Sequence, residues 1–181
     1  MFDYKRFEND VVTAMGDTLR KWAEEYGDIY IMSLDCARDM TSIGIIANTK
    51  QYLKEQADAD SEDYWYYKYC EEEWDLWYAD GFVEDISTYM DQYLKEKSEH
   101  FTDPETFEFL ESFDEHCSKM IESCKKALVR LRQSVKQDFP NLLLTYNIRE
   151  YLDNEERTEI FALVNSSEAS EEYAEHIEDF N

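Results

Sequence analysis

Residues 28–49 read DIYIMSLDCARDMTSIGIIANT, two runs of mainly apolar residues separated by the short polar turn ARDM. Both runs are rich in the β-branched and aromatic residues that favour strands. The pattern therefore predicts strands at 28–36 and 41–49, joined as a hairpin. Nearly every position is apolar, whereas a hairpin with one face in water alternates apolar and polar residues. We expect other elements to cover both faces of this hairpin.

The rest of the chain mainly shows the three- and four-residue spacing of amphipathic helices. In the first helix, 3–26, an apolar stripe runs from Phe7 to Tyr26, and Asp3 and Gly27 are the expected caps. Only four glycines and two prolines occur, which also favours long regular elements. The later predicted helices are 50–59 (capped by Asn48 or Thr49), 82–97, 103–138, 152–164 and 167–179 (started by Asn165 or Ser166), and a further strand is predicted at 141–148.

The longest predicted helix, 103–138, has apolar residues at heptad-like spacing from Phe107 onward. Thr102 and Glu105, in the sequence TDPE, have the spacing of a capping box, in which each side chain bonds the other residue's backbone N–H. Pro140 ends the helix because proline has no backbone N–H to donate. We expect one continuous helix between these signals.

Taken together, the elements predict an α+β fold, with a small, mostly antiparallel sheet of about three to four strands packed by several helices. A chain of 181 residues with 43% hydrophobic residues can bury a sizeable core. No linker, repeat or low-complexity tract divides it. We therefore expect a single domain, 1–181.

The segment from Tyr64 to Tyr78, YWYYKYCEEEWDLWY, has eight aromatic residues and three consecutive glutamates. Its first half, 64–70, is predicted to be an aromatic strand that is mainly core. Its second half, 71–81, is predicted to be a short helix whose first turn holds the glutamates, where the helix dipole favours negative charge. Aromatic anchors within a charged rim are also typical of tight interfaces. The candidate partner-binding residues are Glu71, Glu72, Glu73, Trp74, Asp75, Trp77 and Asp80.

The charge of the chain is strongly negative, with 43 acidic and 18 basic residues and a net charge of −25. Residues 55–85 carry twelve acids and one lysine, and residues 150–181 carry eleven acids and one arginine. By contrast, residues 119–138 carry six basic and two acidic residues. Such a field repels nucleic acid and anionic lipid and speeds encounter with a basic protein. We expect the basic segment to pair internally with the acidic segments, and the partner to be a basic protein.

Metal ligation is not predicted. The sequence DADSED (58–63) resembles the start of a calcium loop, but Asp63 stands at its glycine position and Tyr69 at its glutamate position. His116, Cys117 and Cys124 form a conceivable metal cluster, although their spacing fits a buried helix face better. The other histidines and cysteines lie in no zinc-binding motif; they are His100, His176, Cys36 and Cys70.

Catalytic and targeting motifs are also missing from the sequence. There is no G-x-S-x-G elbow, the glycines are too scattered for a phosphate-binding loop, and 43 carboxylates do not single out a catalytic pair. We therefore expect no cofactor and no enzyme. The N-terminal MFDYKRFENDVV has acids where a signal peptide is apolar, and no apolar run approaches the ~20 residues of a membrane span. A cytoplasmic protein with reduced thiols is expected.

Two stretches resemble a known family. IGIIANTKQYL (43–53) joins a strand ending in small-Asn-Thr to a short helix, and YWYYKYCEEEWDLW (64–77) leads aromatic residues into an acidic E-W pair. This order resembles the bacterial domain-of-unknown-function family numbered 4303, whose members open with a helix and a hairpin. Tyr69, Cys70 and Glu71 stand where that family more often has a tryptophan and a small polar residue. The resemblance implies no reaction, but it implies a likeness in size and acidity to immunity proteins that neutralise bacterial toxins.

The functional expectation is an acidic binding protein, specifically an immunity protein that neutralises a basic, nuclease-like bacterial toxin. One alternative is a nucleic-acid mimic that inhibits a DNA-binding protein, which would need surface carboxylates at phosphate-like spacing. Another is an enzyme or small-ligand protein that uses an aromatic pocket, which would need a cavity holding a carboxylate of raised pKa.

Overall fold

The computed structural model describes residues 1–148 and 151–179. Its strands are β1 (Ile29–Cys36), β2 (Ile43–Thr49), β3 (Leu76–Tyr78) and β4 (Leu143–Ile148). Two 3₁₀ turns cover Glu71–Glu73 and Ile177–Asp179. The α-helices are α1 (Tyr4–Tyr26), α2 (Lys50–Gln56), α3 (Tyr64–Tyr69), α4 (Phe82–Glu96), α5 (Ser98–Phe101), α6 (Glu111–Val135), α7 (Asn154–Val164) and α8 (Ser167–His176).

The strands form one mixed sheet in the order β3-β2-β1-β4. The β1–β2 hairpin and the β2–β3 pair are antiparallel, whereas β1 and β4 are parallel. The parallel pair needs a long crossover, which the segment from β2 to β4 supplies. The fold is therefore α+β with a four-stranded, mostly antiparallel sheet and a long helix, as the sequence predicts.

Helices cover both faces of the hairpin, which confirms the expectation from its composition. Side chains of a strand point alternately to the two faces, so Met32 and Leu34 lie on one face and Ile31 on the other. The first layer, made of α1, α4 and α6, packs with Met32 and Leu34 in the larger core cluster. The second layer, made of α2, α3 and α8, packs with Ile31 in a smaller, aromatic-rich cluster. Helix α7 runs beside β4 and contributes to both clusters.

Several predicted caps are present. The carboxylate of Asp3 accepts the N–H of Arg6 at the start of α1, and Gly27 follows the helix with φ of 84°. Of the two proposed caps of α2, Thr49 is the one that accepts a backbone N–H, at 3.0 Å. Ser166 caps α8 in the same way.

The aromatic segment differs from its prediction in both halves. Residues 64–69 form α3 rather than a strand, and residues 71–78 form a 3₁₀ turn followed by β3 rather than a helix. The reason is tertiary: β3 occupies the free edge of β2, which leaves the aromatic run to pack as a helix. In that helix Trp65 and Tyr69, four residues apart, stack with ring centroids 6.3 Å apart. Strand propensity measures fit to a half-buried sheet surface, and packing overrides it here.

The long helix also begins later than predicted, at Glu111 instead of 103, and it ends at Val135 instead of 138. The expected capping box does not form, because Asp103 organises a turn in its place. Its Oδ1 accepts the N–H groups of Glu105 and Thr106, at 2.7 and 2.9 Å. Aspartate often competes with helix formation through such local bonds.

Candidate functional site

The candidate partner-binding residues lie at one edge of the sheet, in and around β3. All three residues of β3 pair with β2, and no described strand pairs with the opposite edge of β3. A short free edge of this kind leaves backbone groups open to another chain. By exposure the candidates form three groups: Glu72, Asp75, Trp77 and Asp80 are exposed, Glu73 is half-buried, and Glu71 and Trp74 are buried.

Glu71 is a structural residue, which its position in an acidic run did not indicate. Its Oε2 lies 3.1 Å from Nη2 of Arg157 on α7, and both side chains are only 6% exposed. Burial acts to lower the pKa of Arg157, but the Glu71 carboxylate, together with Tyr173 and Cys70, outweighs burial and raises it. The buried ion pair thus fastens the start of the 71–78 segment to α7 and is not available to a partner.

Two further candidate residues, Trp74 and Glu73, hold the 71–78 segment against neighbouring elements. Trp74 packs in the second-layer cluster with Phe161 and Tyr173. Glu73 accepts a hydrogen bond from the hydroxyl of Tyr66 at 2.8 Å, and this bond raises the pKa of Tyr66. These contacts hold the segment against α3 and α7, so that the residues between and after them are positioned by a fixed backbone.

Trp77 is the exposed aromatic residue of β3. Half of its surface (50%) is open to solvent, although large apolar side chains are usually buried. Its indole Nε1–H donates to the carbonyl oxygen of Trp74 at 3.3 Å, which fixes the ring on the surface. A fixed, half-exposed tryptophan can bury a large area on binding at little cost in side-chain entropy.

Helix α1 adds residues that the sequence did not single out. Tyr26, at the end of α1, is 47% exposed, and its hydrogen bond to Glu25 and the nearby Asp75 carboxylate raise its pKa. The apolar stripe of α1 predicts that Tyr26 is in the core. Its position in the last turn of the helix, next to Gly27, was the one feature of the sequence that indicated exposure to solvent. We call Glu25, Tyr26, Glu72, Asp75, Trp77 and Asp80 the acidic aromatic surface.

The basic residues of α6 do not neutralise this surface. Arg132 instead donates to the carbonyl oxygens of Val164 and Leu142 and to Asn165. Internal pairing was expected, but with the acidic segments 55–85 and 150–181. Among the described residues, the ion pairs of α6 are with its own residues and with α1: Lys119–Glu115, Lys125–Glu122 and Arg130–Glu8. Neither Asp75 nor Asp80 has an ion-pair partner in residues 1–148 and 151–179.

A cleft of about 430 Å³ lies between α2, α3 and α8. It is lined by Tyr30, Tyr64, Lys68 and Glu172 among others. Glu172 contacts the Nζ of Lys68 at 2.5 Å and the hydroxyl of Tyr69. Burial acts to raise the pKa of Glu172, but these two hydrogen bonds, together with the charges of Lys68 and His176, outweigh burial and lower it. The carboxylate is thus held ionised, which is opposite to the raised pKa that an acid catalyst requires.

The His116 region is an aromatic cage. The rings of Phe2, Tyr4, Tyr93 and Phe101 surround the imidazole, and Nδ1 lies 2.7 Å from the Tyr4 hydroxyl. Burial lowers the pKa of His116 to about 4, so the ring is neutral at pH 7. Cys117 and Cys124 are buried thiols whose pKa burial raises to about 12. Among the described residues no three His, Cys, Asp or Glu side chains are placed to hold a metal ion.

In the described part of the chain, every helix is too short or too polar to cross a bilayer. The chain has no match among curated proteins and none among solved structures. One family model, described as a domain of unknown function (DUF4303), matches residues 12–166. This range includes the hairpin and the whole acidic aromatic surface. The chain therefore belongs to the DUF4303 family.

Proposed function

We propose that this protein binds a basic protein through the acidic aromatic surface. The observation that carries the proposal is Trp77, which is half-exposed, held by a hydrogen bond to Trp74, and placed on a free sheet edge between the exposed carboxylates of Asp75 and Asp80. Isolated exposed aromatics are common, but this one is fixed and is flanked in the chain by exposed carboxylates, of which Asp75 also acts on Tyr26.

The physical roles of the two residue types are different. Trp77 and Tyr26 are anchors, since aromatic side chains contribute most of the energy of many interfaces. The carboxylates of Asp75 and Asp80 attract and orient a positive partner, which increases the association rate more than the lifetime of the complex. The net charge of −25 extends the same attraction to longer range.

The narrower proposal is that the partner is a bacterial toxin and that this chain is its cytoplasmic immunity protein. A nuclease toxin has a positive groove for its substrate, and clustered carboxylates complement such a groove. A nucleic-acid mimic directed at a DNA-binding protein would use the same surface. The partner separates the two proposals: an immunity protein binds one toxin and protects cells from it, whereas a mimic binds DNA-binding proteins that are not toxic to the cell.

The first test is binding to the product of the neighbouring gene, measured as association and dissociation rates at low and moderate salt. Rescue of cells that express that product would support the toxin proposal. Absence of both binding at low salt and rescue would reject it.

The second test uses Trp77→Ala and the double substitution Asp75→Asn with Asp80→Asn. We expect Trp77→Ala to weaken binding by about 30-fold or more, through faster dissociation. The double substitution should slow association roughly 3- to 10-fold and reduce its salt dependence. Glu171→Gln with Glu175→Gln, on the exposed part of α8, makes the same change in net charge and is the matched control. Unchanged binding by Trp77→Ala would remove this surface from the proposal.

A further inference from the structure

The two edges of the sheet differ in what bonds their outer backbone groups. At the β4 edge, Oδ1 of Asn165 accepts the N–H of Leu144 at 2.9 Å, and Nδ2 donates to the Leu144 carbonyl oxygen at 2.7 Å. At the other edge, β3 pairs with β2 on its inner side. On its outer side, no described residue bonds the backbone of residues 76–78. The fold thus closes one edge of its sheet and leaves the other open.

The side chains along the open edge alternate as those of a strand do. Leu76 and Tyr78 pack with the first-layer core, whereas Asp75 and Trp77 are exposed. Trp77 lies opposite Ile46 of β2, and the two side chains therefore share the other face of the sheet. A strand added at the outer edge would place one of its side chains beside Trp77 on that face, with Cβ atoms within about 5.5 Å.

Charge decides which chain suits this open edge. Natural sheets use charged side chains at an edge to prevent pairing with identical edges. A second copy would bring its own Asp75 and Asp80 towards those of the first, and like charges across a strand pair are destabilising. Both carboxylates are exposed, so they remain open to lysine or arginine side chains. The edge therefore suits an extended segment with basic residues and disfavours self-association.

We propose that the basic partner binds by adding an extended segment to the outer edge of β3. This inference rests on the proposed function, since it assigns a binding mode to the acidic aromatic surface. The backbone of the segment pairs with residues 76–78, one of its apolar side chains packs on Trp77, and its basic side chains lie beside Asp75 and Asp80. In strand addition, backbone hydrogen bonds supply affinity and the side chains supply specificity.

The open edge is already formed before a partner arrives. All three residues of β3 pair with β2, and the buried Glu71–Arg157 ion pair holds the turn that precedes them. A preformed edge loses little conformational entropy on binding. Because two short strands alone are only marginally stable in water, the contacts of Trp77 and the two carboxylates are needed as well.

Amide hydrogen exchange of the free protein, measured by NMR, is the first test. The N–H groups of successive strand residues point to alternate sides, so residues 76–78 should include both slow amides bonded to β2 and fast amides facing outward. Strand β1 is the internal comparison, because it has a neighbouring strand on each side. If every amide of residues 76–78 is as protected as those of β1, the edge is closed and strand addition is overturned.

The second test repeats the exchange measurement with the protein saturated by the product of the neighbouring gene. The fast amides of β3 should slow by about tenfold or more, because the added strand supplies backbone acceptors for them. The fast amides of residues 102–110, between α5 and α6, are the control and should keep their exchange rates.

A pair of substitutions then separates the backbone contact from the side-chain contact. Proline is tolerated in an edge strand where the N–H faces solvent, so it is placed at the residue with the fastest exchange. The pair is Trp77→Pro with Trp77→Ala, or Tyr78→Pro with Tyr78→Ala. Both members lose the side chain, but only proline loses the N–H. With a native circular dichroism spectrum, the proline variant should bind about tenfold more weakly than its alanine control.

The outcomes distinguish this inference from the proposed function. Slower exchange of the β3 amides in the complex supports strand addition. Binding that Trp77→Ala weakens, with no change in the exchange of the β3 amides, would leave the proposed function in place and overturn strand addition. Absence of both binding at low salt and rescue would reject the toxin proposal, and strand addition by that partner would be rejected with it.

Discussion

The first layer meets the sheet with apolar side chains, including Met32 and Leu34 from β1 and Leu128 from α6. The second layer buries the Glu71–Arg157 ion pair beside its aromatic rings. Apolar packing has no direction and tolerates small shifts, whereas a buried ion pair is favourable only at good geometry. The directional contacts thus lie in the layer that holds residues 71–78. The difference teaches that the larger core stabilises the sheet, while the polar layer positions the edge strand that carries Trp77.

Breaking the polar layer should have the largest effect. Arg157→Met leaves the buried Glu71 carboxylate without its guanidinium, and we expect a loss of about 3–5 kcal/mol in the free energy of unfolding. Urea denaturation measures this loss. The matched control is Lys119→Met, whose pair with Glu115 is largely exposed and should contribute less than about 1 kcal/mol.

The double substitution Glu71→Met with Arg157→Met sharpens the same comparison. Because both charges are removed, the protein with the double substitution should lose less stability than the protein with Arg157→Met alone. If the single and double substitutions are equally unstable, the ion pair is not what distinguishes the second layer.

In the first layer the expected loss in the free energy of unfolding depends on the volume of side chain that is removed, and not on charge. Leu128 is fully buried, and Leu128→Ala should cost about 2–5 kcal/mol through lost burial and a cavity. Leu128→Met, which nearly conserves volume, should cost less than about 1.5 kcal/mol. Comparable losses for both substitutions in urea denaturation would show that this layer also depends on specific geometry.

The pH dependence separates the layers further. His116 belongs to the first layer, and its folded pKa of about 4 lies below the ordinary value of 6.5. As the pH falls, His116 therefore takes up a proton in the unfolded chain before it does so in the folded one. The contribution of neutral His116 to stability is complete above pH 6.5 and is lost as the pH falls towards 4. The loss amounts to at most roughly 3 kcal/mol. The pKa of Glu172, in the second layer, is lowered, so its contribution is present above its ordinary pKa of 4.5 and is lost only below that pH.

Urea denaturation between pH 7.5 and 4.5 measures the histidine contribution, and His116→Phe is the comparison because an aromatic ring suits the cage. The difference in the free energy of unfolding between the wild type and His116→Phe should change steadily below pH 6.5 and remain constant above it. A constant difference across the whole range would mean that His116 is not buried as a neutral ring.

How much of this could be predicted differs between elements. The hairpin, α1 and β4 follow from patterns local to each element, and the predicted bounds lie within two residues of the observed ones at each end. The identity of α3 and β3 could not be predicted in this way, because only one segment can pair with the free edge of β2, and the choice depends on the assembled sheet. Of the candidate site, Trp77 and its neighbouring acids were singled out from the sequence and are exposed, and their role in binding stays a prediction. The burial of Glu71 was not, since its partner Arg157 lies 86 positions away.

The smallest predicted effect concerns Asn165, which lies where the layers meet at β4. Its side-chain Oδ1 accepts the N–H of Leu144 at 2.9 Å, and its Nδ2 donates to the Leu144 carbonyl oxygen at 2.7 Å. The amide thus occupies the position of a neighbouring strand on that edge. Asn165→Ala leaves both backbone groups without this partner and should cost about 1–3 kcal/mol, measured by urea denaturation. A stability of Asn165→Ala equal to that of the wild type would show that the backbone groups of Leu144 do not need these bonds.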